Sequence, residues 1–266
     1  MAIVNVTPDS FADGGLRLDP DRAADDARRM AADGADLIDI GGESTRPGAE
    51  PLPEDEEWRR VGPVLERLSG RIDVPLSIDT YKAGVARRAL DLGASMINDI
   101  SGLASDPALA RVAAERGAAL VLMHHRGRSA DMYARAEYGD VAAEIAAELR
   151  GSVEAARAAG VPADRIVVDP GLGFAKRAEH SLQAIAALPA IAALGFPVLV
   201  GPSRKSFLAS APGPAPPAGR VWGTAAAVTA AILFGAHVVR VHDVAEMVQV
   251  ARVADAIRSA ADRPSP

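Results

Sequence analysis

Side chains suited to binding a planar nitrogen heterocycle stand at three separate points along the chain. They are the carboxylates of Asp79 and Asp169 and the carboxamide of Asn98, each at the end of a short, mainly apolar run. A carboxylate that faces two adjacent N–H groups accepts a bidentate, charge-assisted pair of hydrogen bonds. These side chains together predict a pocket for a ring of guanidine-like character.

Cationic and hydrogen-bonding groups near other run ends suit an anion. Arg46, Lys205, Arg240 and His242 supply such donors, and the glycine- and hydroxyl-rich turns near them can present backbone N–H groups. Only three of the 29 basic residues are lysines, which suggests that lysine is kept where a compact point charge is needed. We therefore expect a phosphate-bearing ligand whose heterocycle lies deeper than its anion.

A dedicated metal cage is not expected. His124 and His125 are adjacent, so on a strand they point to opposite faces and cannot chelate one ion together; His124 is expected to be structural. Mg²⁺ keeps several waters and binds phosphate oxygens plus one or two protein oxygens, so a group such as Asn5 is sufficient. We expect Mg²⁺ to arrive with the anion.

The elements that must position these groups alternate regularly. Amphipathic segments predict helices at 20–33, 54–69, 81–92, 107–116, 140–159, 179–194, 222–235 and 244–260. Eight short apolar or β-branched runs predict the strands Ile3–Val6, Leu37–Ile40, Leu76–Ile78, Met96–Ile100, Ala119–Met123, Ile166–Val168, Val198–Val200 and Val238–Val241.

Eight βα units are typical of a (β/α)₈ TIM barrel, an α/β fold whose active sites lie at the C-terminal ends of the strands. The polar groups listed above follow the predicted strands, as that fold requires. A doubly wound open sheet is the alternative, because sequence does not show strand order.

Composition limits the classes of protein. The chain has 266 residues, 49% hydrophobic and 24% charged, with no composition break, so we expect one barrel domain over residues 1–266. The absence of cysteine excludes disulfides, thiolate zinc sites and cysteine nucleophiles. A net charge of −6 argues against a nucleic-acid partner. The sequence shows neither a secretory segment nor a span of about 20 apolar residues, so we expect a cytoplasmic protein with no membrane partner.

Taken in order, the motifs that hold these residues resemble dihydropteroate synthase, the folate-pathway enzyme that sulfonamides inhibit. The resemblance covers nearly the whole chain, and its motifs are Asn5–Phe11 with Asp13-Gly14-Gly15, Gly41–Gly48, Ser77–Thr80, Ile97–Asp99, Asp169–Phe174, Ser203–Ser206 and Arg240–Val244. It implies the same barrel, a homodimer, and the condensation of 6-hydroxymethyl-7,8-dihydropterin diphosphate with p-aminobenzoate to give 7,8-dihydropteroate and diphosphate.

The resemblance also implies which residues bind the pterin. Asp79, Asn98, Asp169 and Lys205 would line its pocket, and Asp39 would lie at the pocket's edge. Asp169 would accept hydrogen bonds from the 2-amino group and N3 of the ring.

For the anion, the resemblance implies a diphosphate and Mg²⁺ site formed by Asn5, Arg240 and His242, with Asn5 as the metal ligand. Thr45 and Arg46 would sit on a loop that closes over the substrates.

The p-aminobenzoate site would be bordered by Phe174, Lys205 and Ser206, with the substrate carboxylate near the start of the seventh predicted helix. The residues expected to act in the chemical step are Asp79, Lys205, Arg240 and His242.

Two other functions remain open from the sequence. A methyltetrahydrofolate–corrinoid methyltransferase domain shares the barrel and the carboxylate–amide recognition, but it should lack the Ser-Arg-Lys and Arg-x-His groups present here. A non-catalytic pterin-binding paralogue would keep the fold without the reaction.

Overall fold

The structure is a computed structural model that describes residues 1–7, 19–45, 48–127, 132–210, 213 and 215–261. Its strands are β1 (Ala2–Asn5), β2 (Ile38–Gly41), β3 (Leu76–Asp79), β4 (Met96–Asp99), β5 (Ala119–Met123), β6 (Ile166–Asp169), β7 (Leu199–Val200) and β8 (Val238–Val239). Its α-helices are α1 (Pro20–Ala32), α2 (Glu54–Leu68), α3 (Ala83–Asp91), α4 (Ala108–Arg116), α5 (Val141–Ala158), α6 (Ala178–Ala186), α7 (Leu188–Ala192), α8 (Val221–Leu233) and α9 (Val244–Ala261).

The strands close into a ring. β1 to β6 pair in sequence order, and β7 pairs with β8. A parallel bridge between Val168 and Val198 joins β6 to the residue before β7, and another between Ala2 and Val241 joins β1 to the segment after β8. Since strand order never reverses, the structure confirms the predicted (β/α)₈ barrel and rejects the open sheet.

Side chains along each strand alternate between the inside of the ring and the surrounding helices. On β6, Ile166 and Val168 pack in the large apolar layer between strands and helices, whereas Val167 packs inside the ring with Val121 and Leu199. This inner cluster fills the ring with side chains, as in barrels of this class. Space for a ligand begins above it, at the C-terminal ends of the strands.

The predicted strands agree with the observed ones to within two residues at each end. The prediction of one continuous sixth helix was wrong. The segment 179–194 forms two helices, α6 and α7, which separate at Ala187. Pro189 explains the break, because it has no N–H to donate and its ring crowds the carbonyl four residues earlier.

Helix ends follow the local chemistry of the sequence. The Asp19 side chain accepts hydrogen bonds from the backbone N–H groups of Asp21 and Arg22 and so caps α1. Gly117 ends α4 in the left-handed region, with φ of 63°.

No helix in the described part of the chain is long and apolar enough to cross a bilayer. The cytoplasmic location and the single-domain bounds of 1–266 stay predictions.

Candidate active site

A layer of polar side chains lies above the apolar cluster inside the ring. Asp169 follows Val167 by two residues on β6, and Asn98 follows Met96 by two on β4, so each points inward one step nearer the C-terminal end. Asp169 is 6% exposed and Asn98 is 3% exposed. Because all the strands are parallel, these polar ends meet at one mouth of the barrel.

A cavity of about 940 Å³ opens at this mouth and continues into a groove between α1 and α9. It is bordered by ten residues that the sequence singled out: Asn5, Thr45, Asp79, Asn98, Asp169, Phe174, Lys205, Ser206, Arg240 and His242. The barrel thus brings together groups contributed by segments from β1 to β8. Arg46 lies outside the described residues, as does most of the loop that follows β1.

Asp39 lies one layer below the cavity and does not border it. It is fully buried, and its Oδ2 accepts hydrogen bonds from Asn98 Nδ2 at 2.9 Å and Arg240 Nε at 2.6 Å. The register explains this depth, since Asp39 pairs with Ser77 whereas Asp79 pairs with Gly41 at the strand ends. The structure therefore places Asp39 under two side chains of the mouth rather than at the pocket's edge.

The side chain of Arg240, which follows β8, also contacts a second carboxylate, that of Asp79 at the end of β3. Its Nη2 donates to Asp79 Oδ2 at 2.7 Å while its Nε holds Asp39. Burial raises the pKa of Asp79 to about 7, although Arg240 opposes that rise. Burial also disfavours the charged form of Arg240, but the carboxylates of Asp39 and Asp79 outweigh this and raise its pKa above the usual value. Arg240 therefore stays cationic, while Asp79 titrates near neutrality.

Asp169 and Lys205 form the other side of the mouth. Burial raises the pKa of Asp169, and the positive charge of Lys205 counteracts this. Burial likewise lowers the pKa of Lys205 to about 8, against the attraction of Asp169. Lys205 Nζ donates to the carbonyl of Leu172 and lies 4.5 Å from the ring centroid of Phe174. The ammonium group thus contacts a backbone carbonyl and an aromatic face while the Asp169 charge attracts it.

A tight turn after β6 aims the Asp169 carboxylate. Gly171 N–H donates to Asp169 Oδ1 at 2.7 Å, with Gly171 at a φ of 67°. A Cβ at Gly171 would lie 2.1 Å from the carbonyl oxygen of His124, so only glycine fits this position.

Burial favours the neutral form of the His242 imidazole. Burial lowers its pKa to about 3, with further contributions from the positive charges of Arg204 and Arg240. Its backbone N–H donates to Ser203 Oγ at 3.1 Å, and its Nδ1 lies 3.0 Å from the same oxygen. The imidazole therefore borders the cavity as a neutral hydrogen-bonding group, while Lys205 and Arg240 supply positive charge there.

Sequence reasoning missed an ion cluster that holds the loop carrying Thr45. Lys82 donates to Glu43 Oε2 at 2.5 Å and also to Glu57, which is 1% exposed. Glu43 additionally accepts from the backbone N–H of Leu52 at 3.1 Å, so it ties the two ends of the 43–52 loop together. The first turn of α2 is acidic, and its Glu57 side chain points inward to pair with Lys82. The rarity of lysine in the sequence was the one signal that pointed here.

A second buried lysine supports the turn that carries Phe174. Lys176 is 2% exposed, and its Nζ lies 2.7 Å from His124 Nδ1 and 3.1 Å from the carbonyl oxygen of Phe174. Burial lowers the pKa of Lys176 to about 7. His124 Nε2 lies 3.1 Å from Glu148 Oε2, in keeping with the structural role expected of His124.

Comparison with known proteins decides the family. The profile of the family described as "Pterin binding enzyme" matches residues 1–242. The dihydropteroate synthase of Synechocystis sp. is 47% identical over 257 residues, which covers 97% of this chain and 89% of the relative. The chain belongs to the dihydropteroate synthase family. Its activity is that of a transferase of folate synthesis, as the resemblance implied.

Solved structures of dihydropteroate synthases agree in fold. The Yersinia pestis enzyme, solved as a complex with a sulfonamide drug, gives a TM-score of 0.92 at 43% identity, covering 97% of this chain and 94% of that one. The Xanthomonas albilineans enzyme in complex with 7,8-dihydropteroate gives a TM-score of 0.88 at 41% identity, covering 99% and 94%.

The shifted pKa values predict a narrow, bell-shaped pH profile. If Asp79 must be ionised and Lys205 protonated, kcat/KM rises as the pH increases through about 7 and falls as it increases through about 8. Lys205→Arg keeps a cation whose pKa is far higher, so its falling limb should move to higher pH. Initial rates measured from pH 5.5 to 10 test this, and a falling limb that stays in place in Lys205→Arg would assign it to another group.

Proposed function

We propose that the cavity at the barrel mouth is where this chain holds the dihydropterin diphosphate and p-aminobenzoate together and joins them. The observation that carries this is the arrangement of Asp79, Asn98 and Asp169 around one cavity with Lys205 beside them. The two carboxylates and the carboxamide at the inner end of the cavity suit the N–H-rich edge of a pterin. Asp169 would face its 2-amino group and N3.

The diphosphate would extend from the floor toward Arg240 and His242. These residues lie on the segment after β8, at the same cavity. Arg240 supplies a positive charge that does not titrate near neutrality, His242 supplies a neutral hydrogen-bonding group, and Lys205 adds a second cation from the loop after β7.

The p-aminobenzoate would lie between Phe174 and the segment that contains Ser206. The Phe174 ring has Lys205 Nζ at 4.5 Å and the His125 ring at 5.9 Å between centroids, so its position is fixed from two sides. Ser206 borders the cavity on the way to α8, where the substrate carboxylate would be placed.

In the chemical step the aryl amine nitrogen forms a bond to the exocyclic methylene carbon of the pterin. The bond from that carbon to the diphosphate oxygen breaks, diphosphate leaves with the electron pair, and the amine releases one proton to solvent. Positive charge grows on the methylene and the pterin ring, where Asp79 and Asp169 stabilise it. The amine is a neutral nucleophile at pH 7, so positioning and exclusion of competing water matter more than a strong base.

The described residues fit Mg²⁺ as an ion carried by the diphosphate. No group of three or more His, Asp or Glu side chains that could hold a metal occurs among the residues that the structure describes. The half-buried Asn5 does border the cavity, and one carboxamide oxygen is the donor that such an ion needs from the protein. Asn5 would hold the ion, which would neutralise charge on the leaving diphosphate.

Two substitutions test the site. Asp79→Asn and Lys205→Ala should each lower the rate of dihydropteroate formation at least ~100-fold, because removing one partner of a buried charged contact costs about 3 kcal/mol. Rates are measured with both substrates at saturating Mg²⁺.

Asp55→Asn serves as the control, because the Asp55 side chain is 88% exposed at the start of α2. It should retain the wild-type rate. Wild-type rates in both Asp79→Asn and Lys205→Ala would refute this site, and an inactive wild-type protein would refute the proposed function.

Asn5→Ala tests the metal proposal. Chelation of Mg²⁺ should abolish activity in the wild type, and the variant should need about tenfold more Mg²⁺ for half-maximal rate, as expected when about 1.4 kcal/mol of ligand binding is lost. An unchanged Mg²⁺ requirement in Asn5→Ala would remove Asn5 from the metal site.

We also propose that the chain forms a homodimer through α8 and α9. Trp222 on α8 is 82% exposed, and Val253 and Ile257 lie one turn apart on an exposed face of α9. Arg258 donates to the carbonyl of Ile232, which holds this part of α9 against the end of α8. Exposed apolar residues on neighbouring helices are typical of an interface. Light scattering that gave the mass of a single chain would contradict this.

A further inference from the structure

A residue with an unusual backbone conformation lies between two residues that border the cavity. Arg204 stands between Ser203 and Lys205, and its φ of 61° places it in the left-handed region. A bulky L-residue adopts this conformation at a cost in free energy, so the surrounding contacts must hold it there. Both neighbours of Arg204 border the cavity.

Both the backbone and the guanidinium of Arg204 are held by hydrogen bonds. Its backbone N–H donates to Thr224 Oγ1 at 3.2 Å, and its carbonyl accepts from Arg220 Nη1 at 2.7 Å. Its guanidinium takes both oxygens of Asp243, with Nε donating to Oδ2 at 3.1 Å and Nη2 donating to Oδ1. This bidentate geometry fixes the orientation of both partners as well as their separation.

The ion pair joins the two loops of the site that carry its cations. Arg204 adjoins Lys205 in the loop after β7, and Asp243 adjoins His242 in the loop after β8. The bonds from His242 to Ser203 Oγ link the same two loops. Two links at neighbouring positions prevent rotation of one loop against the other, which a single link would allow.

We propose that the Arg204–Asp243 pair is a positioning clamp that sets Lys205 and His242 at the separation required by the diphosphate-bearing substrate. This rests on the proposed function, because it assumes that the substrate spans both loops. Arg204 and Asp243 act through their sequence neighbours: the clamp holds the loops, and the neighbours meet the substrate.

A purely electrostatic role for the pair predicts a different result. Arg204 and Asp243 also border the cavity, so each charge acts on a bound anion directly. In that case removal of the carboxylate strengthens diphosphate binding, and removal of the guanidinium weakens it. A clamp requires both removals to act in the same direction.

The experiment therefore compares Asp243→Asn with Arg204→Gln. The expected result is that each raises KM for the dihydropterin diphosphate and lowers kcat/KM at least ~10-fold, because misplacement of a binding group by about 1 Å has effects of that size. Binding of inorganic diphosphate with Mg²⁺, measured by calorimetry, should weaken in both. The double variant should be no worse than either single one, as expected for two halves of one interaction.

Asp243→Glu provides a second test in case the neutral variants fold poorly. It keeps the charge and lengthens the side chain by one methylene, so a clamp predicts weaker diphosphate binding while an electrostatic role predicts no change. Asp21→Asn is the matched control, because Arg67 also takes both oxygens of Asp21, at 2.6 and 3.2 Å, and joins α1 to α2 away from the mouth. It should leave KM and kcat unchanged.

Tighter diphosphate binding in Asp243→Asn, or wild-type constants in Asp243→Glu, would overturn the clamp. A fall in kcat and in the unfolding midpoint with no change in KM would also overturn it, since that is the signature of a general structural role. An inactive wild-type enzyme would instead refute the proposed function, so the two failures are distinguishable.

Discussion

The site depends on one guanidinium that two carboxylates hold from different depths of the barrel. Arg240 donates to Asp39, which is fully buried, and to Asp79 at the level of the cavity. Without that cation, two carboxylates on neighbouring strands would face each other in a low-dielectric interior, where their repulsion is strong. The same carboxylate of Asp39 orients Asn98. A single charge thus stabilises the inner end of the cavity and fixes Asp79 and Asn98, two of the groups proposed to bind the pterin.

Burial also determines how the mouth responds to charge. It raises the pKa of Asp79 and lowers that of Lys205, so the two values approach each other near neutrality. A ring that becomes positive during the reaction favours the ionised form of Asp79, and an anionic ligand favours the protonated form of Lys205. Asp79 and Lys205 can therefore change protonation state near neutral pH in response to the charge of the bound ligand.

Much of this could be predicted from the sequence because parallel strands end at one edge. Counting eight apolar runs and noting the polar residue after each was enough to predict the barrel and to group Asp79, Asn98 and Asp169. Depth was not predictable, since the placement of Asp39 below the mouth depends on strand register. The neutral state of His242 depends on desolvation, which a sequence does not show.

Ion pairs between segments far apart in the sequence were equally unpredictable. Lys82 pairs with Glu43 and Glu57 across segments that are neighbours only in the folded chain. The break between α6 and α7 was readable in principle, because Pro189 stands inside the predicted helix, but the apolar periodicity continues across it.

The ring is joined unevenly. β1 to β6 share three or four register pairs at each junction, whereas β7 and β8 share two and are linked to their other neighbours by single bridges. Backbone segments with fewer shared hydrogen bonds need less free energy to open. Lys205, Arg240 and His242 all emerge from this sparsely bonded quarter, whereas the carboxylates of Asp79 and Asp169 stand on the densely bonded remainder. The contacts between the loops after β7 and β8 therefore contribute more to positioning Lys205 and His242 than strand pairing does, whereas Asp79 and Asp169 are positioned by the strands themselves.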